Sequence, residues 1–330
     1  MSWLCLLALD ENKLVGVLPL IANTINIAGI NLKVFDTPYD AHTNSGDFLI
    51  ADNYSSVVLP ALIKYIKCSY PDFAAIRLHR SVVSSPVIET PYYLPRDVLI
   101  TSKINSYGAY LKIDSNFETF RSRLSKNFRS NLNKAKNKLN KLPELKFSFL
   151  REEDADPTYL KKMMEVEAAS WKGREGSAIL NSDFLIQFYT TLVRRLYESR
   201  ILEWHFLSTQ ENAIAANLAI KMRDSVILWK LGYNEQYSKM SPGSLLLESL
   251  AKDLCSSRAA KEINLTTDLA WYDNWEMLRR EYYDSLIVFK RPAPLLLLYL
   301  PEKAKSLLKR IPGAQQIKAR LSKMFLPQEK

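Results

Sequence analysis

The tetrapeptide Ser241-Pro242-Gly243-Ser244 has a physical reason to matter. Proline suits the first position of a helix, glycine lets a ligand come close to the backbone, and the following Leu245, Leu246, Leu247, Leu250 and Ala251 recur at helical spacing. A helix that begins here presents unpaired N–H groups and the positive end of its dipole, which together suit a phosphate or diphosphate. Lys239, a few residues ahead in the same loop, adds a cation to that spot or is simply a solvated surface lysine. Ser-Pro-Gly also serves as an ordinary helix-opening turn. No serine or cysteine sits in a recognisable nucleophile motif, which favours direct group transfer over a covalent enzyme intermediate. The three histidines (His42, His79, His205) and three cysteines (Cys5, Cys68, Cys255) lie in separate segments without HExxH or CxxC spacing, so a metal-free protein is expected. Disulfides are not expected either, and a reducing cytoplasm fits best.

The elements that must position such a site are built from 330 residues, 47% hydrophobic and 24% charged, enough for two domains with packed cores. No apolar run reaches the roughly 18 residues of a membrane-spanning helix; residues 14–22 are about half that and are interrupted by Gly16 and Pro19. The N-terminal MSWLCLLALDENK lacks a preceding basic residue and a small-residue cleavage site, and reads as a strand. The net charge of +10 is unevenly spread. Residues 116–142 hold eight Lys/Arg and one Glu, and residues 301–330 hold eight against two, so the rest of the chain is slightly acidic. Any polyanion, whether nucleic acid, anionic lipid or a phosphorylated cofactor, should be met by these two stretches.

Residues 3–9 and 14–22 read as a hairpin, followed by strands near 25–35, 48 and 74–80, with a helix over 55–69. Phe117, Phe120, Leu124, Phe128, Leu132, Ala135, Leu139 and Leu142 step by three or four, predicting one long amphipathic linker helix over 116–142 that Pro143 stops. Beyond it come a strand (146–150), helices (156–171 and 182–199), three strands (201–208, 213–222, 225–233), the helix opening at Pro242, a strand (262–266), a short helix near 272–278 and a final strand (286–290). The order β-α-α-β-β-β-α-β-α-β predicts a mixed α/β sheet with helices on both faces. The domains so read are 1–115, the linker helix 116–142, a domain 143–292 and a basic helical tail 293–330.

That element order resembles the GNAT acyltransferase fold. The segments YNEQYSKMSPGSLLLESL (233–250), SWKGREG (170–176) and WYDNW (271–275) make the resemblance specific: they look like motifs of the bacterial CelD-like GNAT acetyltransferases, relatives of the FemABX aminoacyl transferases. The resemblance covers about residues 116–291 and implies two GNAT-like units in tandem joined by a basic helix, with the first unit lacking its first elements, since relatives precede the hairpin with a strand and helices. It implies acetyl-CoA or another acyl-CoA as co-substrate, with pyrophosphate at Lys239, Ser241, Gly243 and Ser244. The acceptor it implies is an amine, such as an amino sugar in cell-envelope or exopolysaccharide synthesis. Relatives carry a Gly and a Tyr-Lys pair where this chain has Asp268 and Tyr272-Asp273, so the charge presented to substrate at Asp273 is reversed.

Acyl transfer to an amine needs an acid for the leaving thiolate and an acceptor for the amine proton. Tyr272 is the expected acid, and Asp268 or Glu203 the expected base, directly or through water; a packing tyrosine and solvated or capping carboxylates are the plainer readings. Trp171, with Trp229 and Tyr233, reads as the wall of an acceptor pocket or as core. His205 alternates within its strand and reads as a strand residue. The basic helix suits tRNA phosphates, as in a FemABX-like tRNA-dependent aminoacyl transferase, or an anionic membrane surface with the tail positions Leu307, Leu308, Ile311, Ile317, Leu321 and Met324 docking beside it, or plain solvation. A catalytically silent GNAT-like scaffold at the inner face of the membrane is the remaining reading.

Overall fold

The computed structural model describes residues 2–40, 42–210 and 212–308. Contacts divide the chain into two units: residues 1–106 with 281–330, and residues 107–280.

The first unit holds β1 (Ser2–Asp10), β2 (Lys13–Ile27), β3 (Ile30–Asp36), the two-residue β4 (Leu49–Ile50), β5 (Phe73–Val82), most of β6 (Val98–Lys112) and, from the far end of the chain, most of β12 (Leu278–Phe289). Its strands run in the order β1-β2-β3-β5-β12, with β4 against β2. The expected hairpin is β1 and β2. What reads in sequence as one strand near 25–35 is a second hairpin, turned at Ala28 and Gly29, both with positive φ. The helix Ser55–Ser69 crosses between the parallel β3 and β5 and buries Val58, Leu59, Leu62, Ile63 and Ile66, as its periodicity requires. A side chain at Gly16 would meet Val58 Cγ1 at 2.5 Å, so the helix can lie this close to β2 only over glycine.

The second unit is a mixed sheet in the order β6-β11-β10-β9-β8-β7, with β7 (Lys146–Arg151), β8 (Leu202–Thr209), β9 (Asn212–Met222), β10 (Ser225–Tyr233) and β11 (Glu262–Asn264). Only β10 and β11 pair in parallel; their neighbours are antiparallel. On one face the helices Pro242–Ser257 and Lys126–Leu139 pack over Leu207, Ala215, Ala219, Val226 and Leu228. On the other the helices Tyr159–Ala168 and Asp183–Glu198 pack over Trp204, Phe206, Ala216 and Leu218.

Several expected bounds are corrected. The single helix over 116–142 is two, Phe117–Arg123 and Lys126–Leu139, because Leu124 is extended and Ser125 caps the second helix by accepting from Phe128 N–H at 3.2 Å. Periodicity survives the break because Leu124 still turns its buried side chain into the same core. The helix over 156–171 is Tyr159–Ala168 and a separate turn Trp171–Arg174, capped by Ser170. The strand over 262–266 ends at Asn264, since Thr266 takes a positive φ, and the last strand begins eight residues before 286, at Leu278. β6 was not foreseen at all. The tail helix ends its described part at Leu308, and the apolar positions Ile311, Ile317, Leu321 and Met324, with the side chains of Leu307 and Leu308, lie outside the described residues.

Candidate active site

The helix Pro242–Ser257 starts as its sequence anticipates. Ser241 sits at φ +46° with no side-chain cap bond, Pro242 occupies the first position, and the first turn closes with Leu245 N–H donating to the Ser241 carbonyl at 3.1 Å. The N–H groups of Gly243 and Ser244 therefore have no partner within the helix, and both residues are half-buried. Glycine leaves room: a Cβ at Gly243 would make ordinary contact, 3.8 Å from Cδ1 of Tyr233. The structure thus brings Tyr233 and Gly243 together. Lys239 is exposed, in the 3-10 turn Glu235–Met240 that links β10 to the helix.

β10 and β11 pair for three residues only, Ser225 with Glu262, Val226 with Ile263 and Ile227 with Asn264. β11 then stops, and Asn264 Oδ1 accepts from Thr266 N–H at 2.8 Å as the chain turns away. β10 continues to Tyr233 with a bulge against β9 between Leu228 and Lys230. Among the described residues no strand pairs with the β11-side edge of residues 228–233. Such an edge offers main-chain donors and acceptors to an extended, amide-bearing ligand that ends at the helix start.

Tyr272 lies in the 3-10 turn Ala270–Trp275 with its ring buried and its hydroxyl 3.3 Å from Thr267 Oγ1. Burial raises its pKa, partly offset by Thr267 and reinforced by the Asp268 charge, so it remains a proton donor at neutral pH. Asp268 and Asp273 share a partner that sequence reasoning missed: Arg279 Nε donates to Asp268 at 2.9 Å, and its other arm pairs with Asp273. The charge of Asp273 is thereby compensated within the chain.

Glu203 lies elsewhere. It is buried on the sheet face beneath the helix Pro242–Ser257, with Oε2 2.9 Å from His205 Nε2 and Oε1 3.4 Å from Arg151 Nε, while Arg151 donates to Asp253 at 2.6 Å. Burial pushes its carboxyl up, but His205 and Arg151 outweigh this and hold it below the usual range. It is a paired core anion. His205 is a fully buried strand residue, edge-on to Phe149.

The SWKGREG segment clamps the end of β10. Lys172 Nζ donates to the Leu231 carbonyl at 3.3 Å, Glu235 N–H donates to the Ala169 carbonyl at 3.2 Å, and Arg174 pairs with Glu235. Gly173 is required, since a Cβ there would stand 1.9 Å from the Ala168 carbonyl oxygen. Trp171 is left 43% exposed, available as a wall, while Trp229 packs partly into the core. Glu167, the buried partner of Lys172, and the half-buried Lys230 that also faces it escaped sequence reading. Their only signal was position within two motif-bearing elements.

Of the basic residues in and just after these helices, Arg121 and Arg123 are used in pairs with Glu248 and Asp114, whereas Lys126, Lys134, Lys136, Lys138 and Lys141 are exposed. Among the described residues no cluster of His, Cys, Asp and Glu could hold a metal, and no helix is long and apolar enough to cross a membrane.

Residues 126–272 match a family model described as an acetyltransferase (GNAT) domain. No curated protein sequence matches the chain. Among solved structures, FemX superposes with a TM-score of 0.54 at 11% identity, covering 86% of this chain and 88% of that one. The C-terminal domain (DUF2156) of an Agrobacterium fabrum protein assigned as a lysylphosphatidylglycerol synthetase gives 0.53 at 9% identity, covering 89% and 87%. A conserved protein of unknown function from Bacteroides thetaiotaomicron gives 0.52 at 10% identity, covering 78% and 79%. The chain has a mixed α/β fold of the GNAT type, and its residues 126–272 match the acetyltransferase (GNAT) domain model.

Proposed function

We propose that the protein transfers an acyl group from an acyl-CoA, acetyl-CoA in the simplest case, to an amine. The observation that carries this reading is the conjunction of the Pro242 helix start with the unpaired β10 edge. One end suits a diphosphate, and the other suits the extended, amide-bearing arm of the carrier, leading the thioester along β10. In this reading Gly243 and Ser244 N–H groups grip the diphosphate, Ser241 flanks them and Lys239 adds a cation. Tyr272 donates a proton to the departing thiolate. Asp268, on Arg279, takes the proton from the amine through water. Glu203 has no part in the chemistry. Trp171, Tyr233 and Asp273 border the acceptor.

The finer assignment is to the CelD-like branch, with an amino sugar of cell-envelope or exopolysaccharide synthesis as acceptor, in the cytoplasm or peripherally at the inner face of the membrane. Support for that is the motif resemblance at 170–176, 233–250 and 271–275. The test is thermal. Coenzyme A at a hundred times its Kd should stabilise the chain by about 2.7 kcal/mol, a rise of several degrees in Tm. Gly243→Leu should abolish the rise, read against its own Tm without coenzyme A. No shift with any acyl-CoA sinks the reading.

The exposed row Lys126, Lys134, Lys136, Lys138 and Lys141 favours a second reading, aminoacyl transfer from charged tRNA. Binding would then weaken steeply with salt, and neutralising Lys134, Lys136 and Lys138 would flatten that slope by about three units. Salt-independent binding removes it.

A further inference from the structure

Glu167 has no exposed surface. Its Oε2 accepts from Ile179 N–H at 3.0 Å and its Oε1 from Lys172 Nζ at 2.9 Å. One ammonium and one main-chain donor therefore satisfy this buried carboxylate. Yet a second lysine is turned to the same place. Lys230 Nζ stands 3.8 Å from Oε1, beyond hydrogen-bond reach, and 5.3 Å from the centre of the Tyr189 ring. Among the described residues nothing hydrogen-bonds this ammonium, and its side chain keeps 17% of its surface exposed. Two cations thus face one anion in a half-buried site. Burial pulls the Lys230 pKa below the usual lysine range, with Glu167 opposing the change and Lys172 adding to it. For folding, the second cation adds only an ion pair at 3.8 Å, without a hydrogen bond, and a weak cation–π contact, set against the burial of its charge.

The location gives the surplus a use. Lys230 follows the β10 bulge and shares with Trp229 the face of the sheet that carries Tyr189. Tyr233 packs with the opposite cluster, where it meets Gly243. β10 therefore offers the helix start on one face and the lysine pair on the other, with its unpaired edge between them. Lys172, fixed on Glu167 and the Leu231 carbonyl, holds the second cation rigidly beside the first.

We propose that Lys230, backed by the Lys172–Glu167 pair, binds an anionic group, carboxylate or phosphate, on the amine that the enzyme acylates. The acceptor is accordingly an acidic amine, such as an amino acid or a phosphorylated amino sugar, and not a neutral or cationic one. This rests on the acyl-transfer reading for its meaning, but not for its test.

The full chain is labelled with limiting acetic anhydride, and the extent of modification at Lys230 is read by peptide mass spectrometry in chloride, acetate or inorganic phosphate at equal ionic strength. Phosphate or acetate at twice its Kd should cut labelling of Lys230 about threefold, with the exposed Lys126 unchanged as the control. The two anions distinguish phosphate from carboxylate recognition. Lys230→Met should fold with an unchanged or raised Tm and lose the thermal shift given by the protecting anion, whereas Lys172→Met should lower Tm by stranding Glu167. Lys230 labelling that ignores both anions, or a Lys230→Met chain that melts well below wild type, overturns the proposal by making the residue inert or merely structural. Repeating the labelling with and without coenzyme A separates the two readings: protection at Lys230 in a chain that binds no coenzyme A would remove the donor assignment and leave the anion site standing.

Discussion

The ring of Tyr233, which ends β10, lies over the first turn of the helix that follows, close enough that a Cβ on Gly243 would sit 3.8 Å from its Cδ1. That spacing is an ordinary contact for a methyl group and too small for anything longer. Gly243→Ala should therefore bind coenzyme A within about threefold of wild type, while Gly243→Leu, which must push Tyr233 aside or fill the space before Ser244, should lose more than about thirtyfold. Titration calorimetry decides it. Equal affinities for the leucine and alanine chains would mean that the helix start is not where the carrier sits.

Tyr272→Phe removes one hydroxyl whose recorded partner is Thr267. Stability should change by no more than about 1 kcal/mol. The turnover number should fall by about two to three orders of magnitude with little change in the KM for acyl-CoA, as expected for a group that acts mainly in the transition state. Because burial raises the pKa of this phenol above its free value of 10.0, the wild-type rate should hold its alkaline plateau to that pH and decline above it. A phenylalanine chain with full turnover would assign Tyr272 to packing alone.

Gly173→Ala tests the clamp formed by SWKGREG. The added methyl would collide with the Ala168 carbonyl, main chain that cannot swing aside, so the chain should lose about 1–3 kcal/mol in urea unfolding. A loss below about 0.5 kcal/mol would show that the 170–176 turn shifts freely and does not hold the end of β10.

How much of this was legible depends on whether a signal was local. β8, β9 and β10 and the helix Pro242–Ser257 read directly, because runs of apolar residues and the Pro-Gly opening encode them within a single segment. β6 was invisible: residues 98–112 carry Ser102, Lys103, Asn105 and Ser106 in mid-strand, and nothing local marks a strand whose partner residues 262–264 lie some 150 positions later. The break at Leu124 and Ser125 was hidden because a buried leucine kept the helical period across it. At the site, Gly243, Ser244 and Tyr272 could be proposed from their neighbours in sequence. Arg279 and Lys230 could not, since each acquires its role from a carboxylate brought in by folding, Asp268 and Asp273 for one and Glu167 for the other. Glu203 misled for the same reason, its engagement with Arg151 being set by strand pairing.

Two carboxylates of the first unit should respond to pH in opposite senses. Burial pushes Asp36 up, but hydrogen bonds from His79 and Arg77 outweigh it and bring the group to about 2 from 3.8. Its contribution to stability is therefore present above pH 3.8 and is lost as pH falls toward 2. Asp47 is raised by burial to about 6 despite bonds from Ser85 and the Phe48 N–H. The unfolded chain ionises it first, so it costs stability as pH rises from 3.8 to 6 and above. Asp47→Asn should be more stable than wild type at pH 7.5, by about 2–3 kcal/mol, and the gain should vanish below pH 4. Asp36→Asn should be less stable than wild type at neutral pH and converge with it in acid. Melting curves across this range check both, and an Asp47→Asn chain that melts lower than wild type at pH 7.5 would contradict the burial of that carboxyl.

The most direct measurement is the amide NMR spectrum of 15N-labelled protein titrated with coenzyme A. Gly243 and Ser244 N–H resonances should move downfield and exchange more slowly as the diphosphate arrives, with residues 228–233 following as the β10 edge gains a partner. Saturating coenzyme A that leaves the 243 and 244 amides where they were would contradict the account.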